Sequence, residues 1–176
     1  MIKIIDTHTH LDAEEFDEDR AEAFARAKEA GVGKVFLPAI DVKTTHAVWK
    51  LSQEYPGYAF PMIGLHPEEV KADWKEQLAE LRKMSVSDFI AIGEVGLDYY
   101  WSREFEKEQL EAFEEQVKWS IETRLPLMIH VARVKMRWFI SCVLTSQNFL
   151  VACSIALREI RRKLKNSSPL IASSWE

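Results

Sequence analysis

Short apolar runs alternate with amphipathic stretches along the first 130 residues. The runs are IKIID (2–6), KVFLPAI (34–40), YAFPMIG (58–64), FIAIGEVG (89–96) and LPLMIH (125–130). Each is short and nearly continuously apolar, which is how a strand reads when helices cover both faces of its sheet. The stretches between them carry helical spacing. Asp12 is placed to cap a first helix with Phe16, Ala21, Phe24 and Ala27 on one face, ended by Gly31. A second helix runs from about Lys43 to Tyr55, before Pro56. A third follows Pro67 with Val70, Trp74, Leu78 and Leu81 in register, and a fourth spans Glu104 to Glu122 through Leu110, Phe113, Val117 and Ile121. Strand and helix in strict alternation define an α/β protein with parallel strands. An open doubly wound sheet and a TIM-type (β/α)8 barrel both fit. The first strand is followed by no G-x-G-x-x-G turn, so the barrel is favoured. A full barrel takes about 250 residues, so the expectation is a truncated version of about five β/α units.

Composition refines this picture in one place. The chain has 176 residues and is 47% apolar, enough for one domain with a substantial core. No apolar run at the N-terminus has the length of a signal peptide, which with the two cysteines, Cys142 and Cys153, read as free thiols, predicts a cytoplasmic protein. The net charge of -5 is unevenly spread: residues 1–130 hold 15 Lys/Arg against 26 Asp/Glu, whereas residues 131–176 hold 8 against 2. All six glycines lie at or before Gly96. The chain is therefore expected to divide into a barrel-like part, 1–134, and an atypical basic and apolar tail, 135–176. Trp138 to Leu157 is a run of 20 uncharged residues, but TSQN at its centre argues against a membrane span.

The candidate chemistry sits where the strands end. His8 and His10 follow the first, His66 the third, Glu94 closes the fourth and His130 the fifth. In a parallel sheet these ends lie on one rim, so residues distant in sequence converge. The period of two along an extended chain puts His8 and His10 on one face, where two imidazoles can reach one cation at about 2.0–2.1 Å. A carboxylate such as Glu94 can bridge two metals about 3.5–4 Å apart, with His130 able to complete the ligand set of the second ion. Water acidified by such a cation becomes a nucleophile toward phosphate or amide centres. Simpler roles are open to several of these residues: a turn residue before Pro67 for His66, a loop cap or an acceptor orienting a histidine for Asp98, and a surface position for His46.

The motifs DTHTHLD, GLHPEEV, AIGEVGLDYYW, EKEQLEAFEEQVKWS and LPLMIH, in this order, resemble the TatD family of metal-dependent deoxyribonucleases in the metallo-dependent hydrolase superfamily. The resemblance implies a TIM-type barrel with one or two divalent ions, of Mg, Zn or Mn, hydrolysing DNA from 3' ends. It implies that His8 and His10 bind one ion, that Glu94 bridges and is the catalytic carboxylate, that His130 binds the second ion and that His66 lies near the substrate phosphate. It departs after His130, where Ala132 stands in place of an arginine, Arg133 comes one position late, and no later histidine follows. A tail read out of frame accounts for the coincident change in charge, glycine usage and motif match. Two other functions fit the same residues: hydrolysis of another ester or amide, and a non-catalytic half-barrel that binds metal at most. DNA is the expected partner as substrate, bound weakly as a duplex by the acidic part. No stable protein partner and no membrane association are expected.

Overall fold

The computed structural model describes residues 4–134, which form five parallel strands separated by four helices. In chain order these are β1 (Ile4–Asp6), α1 (Arg20–Glu29), β2 (Val32–Leu37), α2 (Val42–Glu54), β3 (Ala59–Pro61), α3 (Trp74–Leu81), β4 (Ile92–Asp98), α4 (Glu106–Thr123) and β5 (Leu127–Ala132). The tail features anticipated from the sequence, including the 138–157 run and both cysteines, lie outside the described residues.

Strand order decides between the two architectures. β1, β2 and β3 pair side by side in parallel, and β4 pairs in parallel with β5. A parallel bridge between Ile63 and Ile92, with Gly93 N–H donating to the Ile63 carbonyl (2.8 Å), joins the two sets. Neighbours in space are thus neighbours in sequence, and the order never reverses as it does in a doubly wound sheet. The fold is the TIM-barrel type. Among the described residues it comprises five strands.

Side chains alternate between an outer core and the barrel interior. On the outside, Val35 and Leu37 pack with Phe24 of α1 and with Val48 and Leu51 of α2. The larger cluster sets Ile92, Val95 and Leu97 of β4 against Trp74, Leu78 and Leu81 of α3 and Phe113 and Val117 of α4. On the inside, Phe36, Met62 and Ala91 gather with Ile5, Phe60 and Met128, so that all five strands or their approaches contribute to one layer. Burying side chains of this size contributes about 1.5–3 kcal/mol each.

The helices follow their sequence signals with two corrections, at the starts of α1 and α3. Asp41 caps α2 through a reciprocal pair, its carboxylate accepting from Thr44 N–H (2.7 Å) while the Thr44 hydroxyl accepts from Asp41 N–H (2.9 Å). Asp12, however, does not cap α1. The helix begins at Arg20, after a 3-10 turn at Glu14–Phe16, because Arg20 folds the preceding loop around itself by donating to the carbonyls of Leu11, Asp12 and Ala13. α3 likewise starts late, at Trp74, since Pro67 opens a separate 3-10 turn over Pro67–Glu69.

Candidate metal centre

The first two histidines lie just beyond β1, in a stretch that stays extended because Thr9 N–H donates to the Phe36 carbonyl of β2 (3.1 Å). The alternation of the strand therefore continues through His8 and His10, as their spacing predicts. Their Nε2 atoms stand 3.2 Å apart. Asp6 steadies the approach by accepting the His8 N–H (3.2 Å).

Glu94 lies within β4 and does not close it as expected, because pairing with β5 carries the strand on to Asp98; its N–H donates to the Ala39 carbonyl (2.9 Å). Its carboxylate is buried and divides its two oxygens. Oε2 lies 3.3 Å from His8 Nε2 and 4.0 Å from His10 Nε2, whereas Oε1 lies 3.1 Å from His130 Nδ1. The four residues expected to ligate metal thus meet at one carboxylate.

His130 is placed by β4 and held by Asp98. In the ladder it faces Gly96, whose φ of +149° and contact with the His130 carbonyl leave no room for a side chain: a Cβ there would lie 2.0 Å from that oxygen. Asp98 Oδ2 takes His130 Nε2 at 2.8 Å, and Oδ1 accepts the Tyr100 N–H at 2.7 Å. Both roles proposed for Asp98, loop cap and acceptor for a histidine, are thus filled at once. Burial opposes the charge on Asp98, but the Tyr100 amide and the His130 ring outweigh it and hold the carboxyl below its usual range. An ionised Asp98 draws the ring proton to Nε2 and leaves the Nδ1 lone pair toward Glu94.

His66 combines a turn role with a place at the site. Its Nδ1 accepts the Glu68 N–H (3.2 Å) at the entry to the 3-10 turn, and its own N–H donates to the Ile40 carbonyl (2.8 Å). The ring packs edge-on to His130, with centroids 4.5 Å apart. Burial, and then the neighbouring His130, push its pKa down to about 4, so the ring is neutral at pH 7. His46 is exposed, as expected of a surface position. Asp12 is partly buried with Oδ1 lacking a hydrogen-bond partner, and burial raises its pKa.

The donor set fits a divalent cation. Two groups of ligand atoms converge, His8–His10–Glu94 and His66–Glu94–His130, with Glu94 common to both. Two nitrogens bound at about 2.0–2.1 Å and a tetrahedral angle stand roughly 3.3 Å apart. The 3.2 Å between His8 and His10 matches that separation.

Sequence reasoning missed the residues that aim these candidate ligands. Gln109 and Gln116 lie on the buried face of α4, seven residues apart and so on the same side. Gln116 brackets Leu65, accepting from its N–H (2.7 Å) and donating to its carbonyl (3.1 Å), which fixes the loop before His66. Gln109 does the same for Asp98 (2.9 and 3.1 Å). The detectable signal was two amides on a helix face that also carries Ala112, Phe113 and Val117.

Fold and site together define a class: parallel β/α proteins of the TIM-barrel type whose strand C-termini gather histidines around a shared carboxylate. Within that class, the TatD-related DNase family model matches residues 5–146, and the chain belongs to that family. The match runs past residue 134, where the change in composition suggested a boundary. The chain is 34% identical over 128 residues to YabD of Bacillus subtilis, named an uncharacterized metal-dependent hydrolase, covering 72% of this chain and 50% of YabD. It is 30% identical over 129 residues to the 3'-5' ssDNA/RNA exonuclease TatD of Pectobacterium parmentieri, covering 72% and 49%. The crystal structure of YjjV, a TatD homolog from Escherichia coli K12, superposes with a TM-score of 0.70 at 29% identity, covering 81% of this chain and 55% of YjjV. The chain thus spans about half the length of the curated relatives it matches. No helix among the described residues is long and apolar enough to cross a membrane.

Proposed function

We propose that this chain carries the metal centre of a cytoplasmic, divalent-metal-dependent deoxyribonuclease of the TatD type, which trims single-stranded DNA from its 3' end. The observation that carries the proposal is the division of Glu94, with Oε2 toward His8 and His10 and Oε1 toward His130. In this reading His8, His10, Glu94 and His130 hold one or two ions of Mg, Zn or Mn. When bound, such ions supply Lewis-acid polarisation of the phosphodiester and acidification of a water. The chain's own residues do the rest. Glu94 sets the spacing of the two ligand groups, one oxygen to each. Asp98 keeps the His130 proton on Nε2, away from Glu94. His66, neutral at pH 7 and with Nδ1 accepting from Glu68, offers an uncharged Nε2–H donor to a phosphate oxygen, which suits a substrate that already carries the charge.

The test is hydrolysis of a 5'-labelled single-stranded oligonucleotide by the purified chain, with chelator and with each metal restored. Metal-dependent shortening from the 3' end is expected, and Glu94→Gln should lower it by at least about 100-fold, as loss of a directly bound group exceeds the 10–100-fold of an outer partner. Turnover that survives chelation, or that Glu94→Gln leaves intact, overturns the proposal. A second reading, metal binding without turnover, is favoured by the exposure of His8 and His10, whose side chains are 40% and 39% accessible. It predicts chelatable metal in the purified chain and no shortening of DNA.

A further inference from the structure

The loop after β4 places two exposed aromatic rings beside the metal centre. Trp101 is 75% accessible and Tyr100 54%, the two highest values among exposed large hydrophobic residues other than Ile4 at 56%. They are not loose. Their rings meet edge to face with centroids 4.7 Å apart. The Arg133 guanidinium lies 5.2 Å over the Tyr100 ring, and Arg103 lies 5.1 Å over Tyr99. Trp101 and Glu68 line the same cleft. The pair is anchored to the site itself, because the Tyr100 N–H donates to the Asp98 carboxylate that grips His130. Asp98 and Trp101 line a common cleft of about 250 Å³ with Glu68, Ser102, Phe105 and Gln109.

No folding role explains these rings. An indole and a phenol held in place while still mostly in water give little to the core, whereas Tyr99, one residue earlier, is buried in it. Their chemistry suits a flat, electron-poor or neutral π-surface: aromatic faces take bases without regard to sequence, and a guanidinium beside them takes the adjoining phosphate. Arg133 also places positive charge against the Tyr100 ring, within an otherwise acidic stretch of chain.

We infer that Tyr100 and Trp101, with Arg133 stacked on Tyr100, form the platform on which a base of a single-stranded nucleic acid stacks next to the metal centre. The inference rests on the proposed nuclease reading for its substrate class. It adds the residues that select a single strand, since the bases of a duplex are already stacked on one another and present no free face.

Binding separates this platform from catalysis. Fluorescence anisotropy of a labelled single-stranded dT oligonucleotide is measured with the full chain in chelator, so that no cleavage occurs. A same-length oligonucleotide of abasic residues serves as the control with equal phosphate charge. Trp101→Ala should weaken dT binding about 10-fold, Trp101→Phe should restore most of it, and the abasic strand should lose much less than the dT strand. The same variants are then compared on cleavage of the dT strand with metal restored, where the loss should fall on KM more than on kcat. Equal dT and abasic binding by the unaltered chain, or dT binding unchanged by both Trp101→Ala and Tyr100→Ala, overturns the platform even if the chain cleaves DNA. Base-dependent binding lost in Trp101→Ala, in a chain that never cleaves DNA, keeps the platform and overturns the nuclease reading. Trp101 is exposed, so Trp101→Ala is expected to melt where the unaltered chain does, and a lowered melting temperature in both Trp101 variants would assign the residue to stability instead.

Discussion

Glu94 could be singled out from the sequence because an acid after FIAIG cannot be left uncompensated in a buried sheet. The structure answers with three imidazoles and no lysine or arginine ion pair among the described residues, so the compensation is of a kind that a cation completes. Asp98 stands one step back, and its role is separable. Asp98→Asn keeps an oxygen for the Tyr100 N–H or the His130 ring but removes the charge that fixes the His130 proton. It should lower metal affinity by about 10–100-fold, measured by competition with a chelating dye, while the melting temperature of the metal-free chain falls little. Unchanged affinity would mean that His130 does not depend on Asp98 for its proton. His66 lends itself to a pH experiment. Its folded pKa is about 4 against the ordinary 6.5, chiefly through burial, so the folded state refuses a proton that the unfolded chain accepts. The stability that depends on neutral His66 is fully present above about pH 6.5 and is lost as pH falls toward 4. The full effect is on the order of 3 kcal/mol. His66→Asn, which retains an acceptor for the Glu68 N–H, should flatten the urea midpoint between pH 6.5 and 4; an acid limb as steep as before would show that other groups carry it.

Glycine, rather than any charged residue, sets how the strands carry the site. β4 has glycine at 93 and 96, and at both positions the partner strand comes too close for a side chain: a Cβ on Gly93 would lie 2.4 Å from Met128 Cβ, and one on Gly96 2.0 Å from the His130 carbonyl oxygen. The close approach brings His130 within 3.1 Å of Glu94 and 2.8 Å of Asp98. Gly96→Ala must therefore move β5 outward, in addition to forcing a conformation with positive φ on alanine. A loss of about 2–4 kcal/mol is expected from the combined overpacking and backbone strain, read from urea unfolding, together with weakened metal binding. Stability retained with metal binding intact would show that the ladder yields without moving His130. The same elements show what the sequence discloses. Strands and helices were legible because periodicity records burial, and the candidate ligands were legible because parallel strands bring their C-terminal parts to one rim, although Glu94 and His130 lie within their strands and not at the ends. The start of α1 was not, since Arg20 reaches back to three carbonyls and this has no local pattern. Gln109 and Gln116 were not, because their partners, Asp98 and Leu65, lie 11 and 51 residues away and are backbone groups that carry no sequence signature.

At the scale of the whole molecule, the site links parts that the strand pairing leaves far apart. Among the described residues β1 and β5 each have a single strand neighbour and stand at opposite ends of the five-strand array. Yet His8 and His10, just past β1, and His130, in β5, approach the same Glu94 carboxylate from β4. The curvature of the array makes this possible, and the interior layer of Ile5, Phe36, Phe60 and Met128 fills the space beneath the site. A divalent ion held there would tie the first strand to the last. Because such a site exists in the folded chain and not in the unfolded one, metal at about 100 times its dissociation constant should add about 2.7 kcal/mol of stability. For a domain of this size, that is a rise in melting temperature of roughly 5–10 °C. The rise should vanish with chelator and in Glu94→Gln, which removes charge from both ligand groups. His130→Ala should spare part of it, because the His8–His10–Glu94 group remains. An equal rise in all three proteins would place the stabilising ion elsewhere, and a rise lost wholly in His130→Ala would mean that the two groups act as one site.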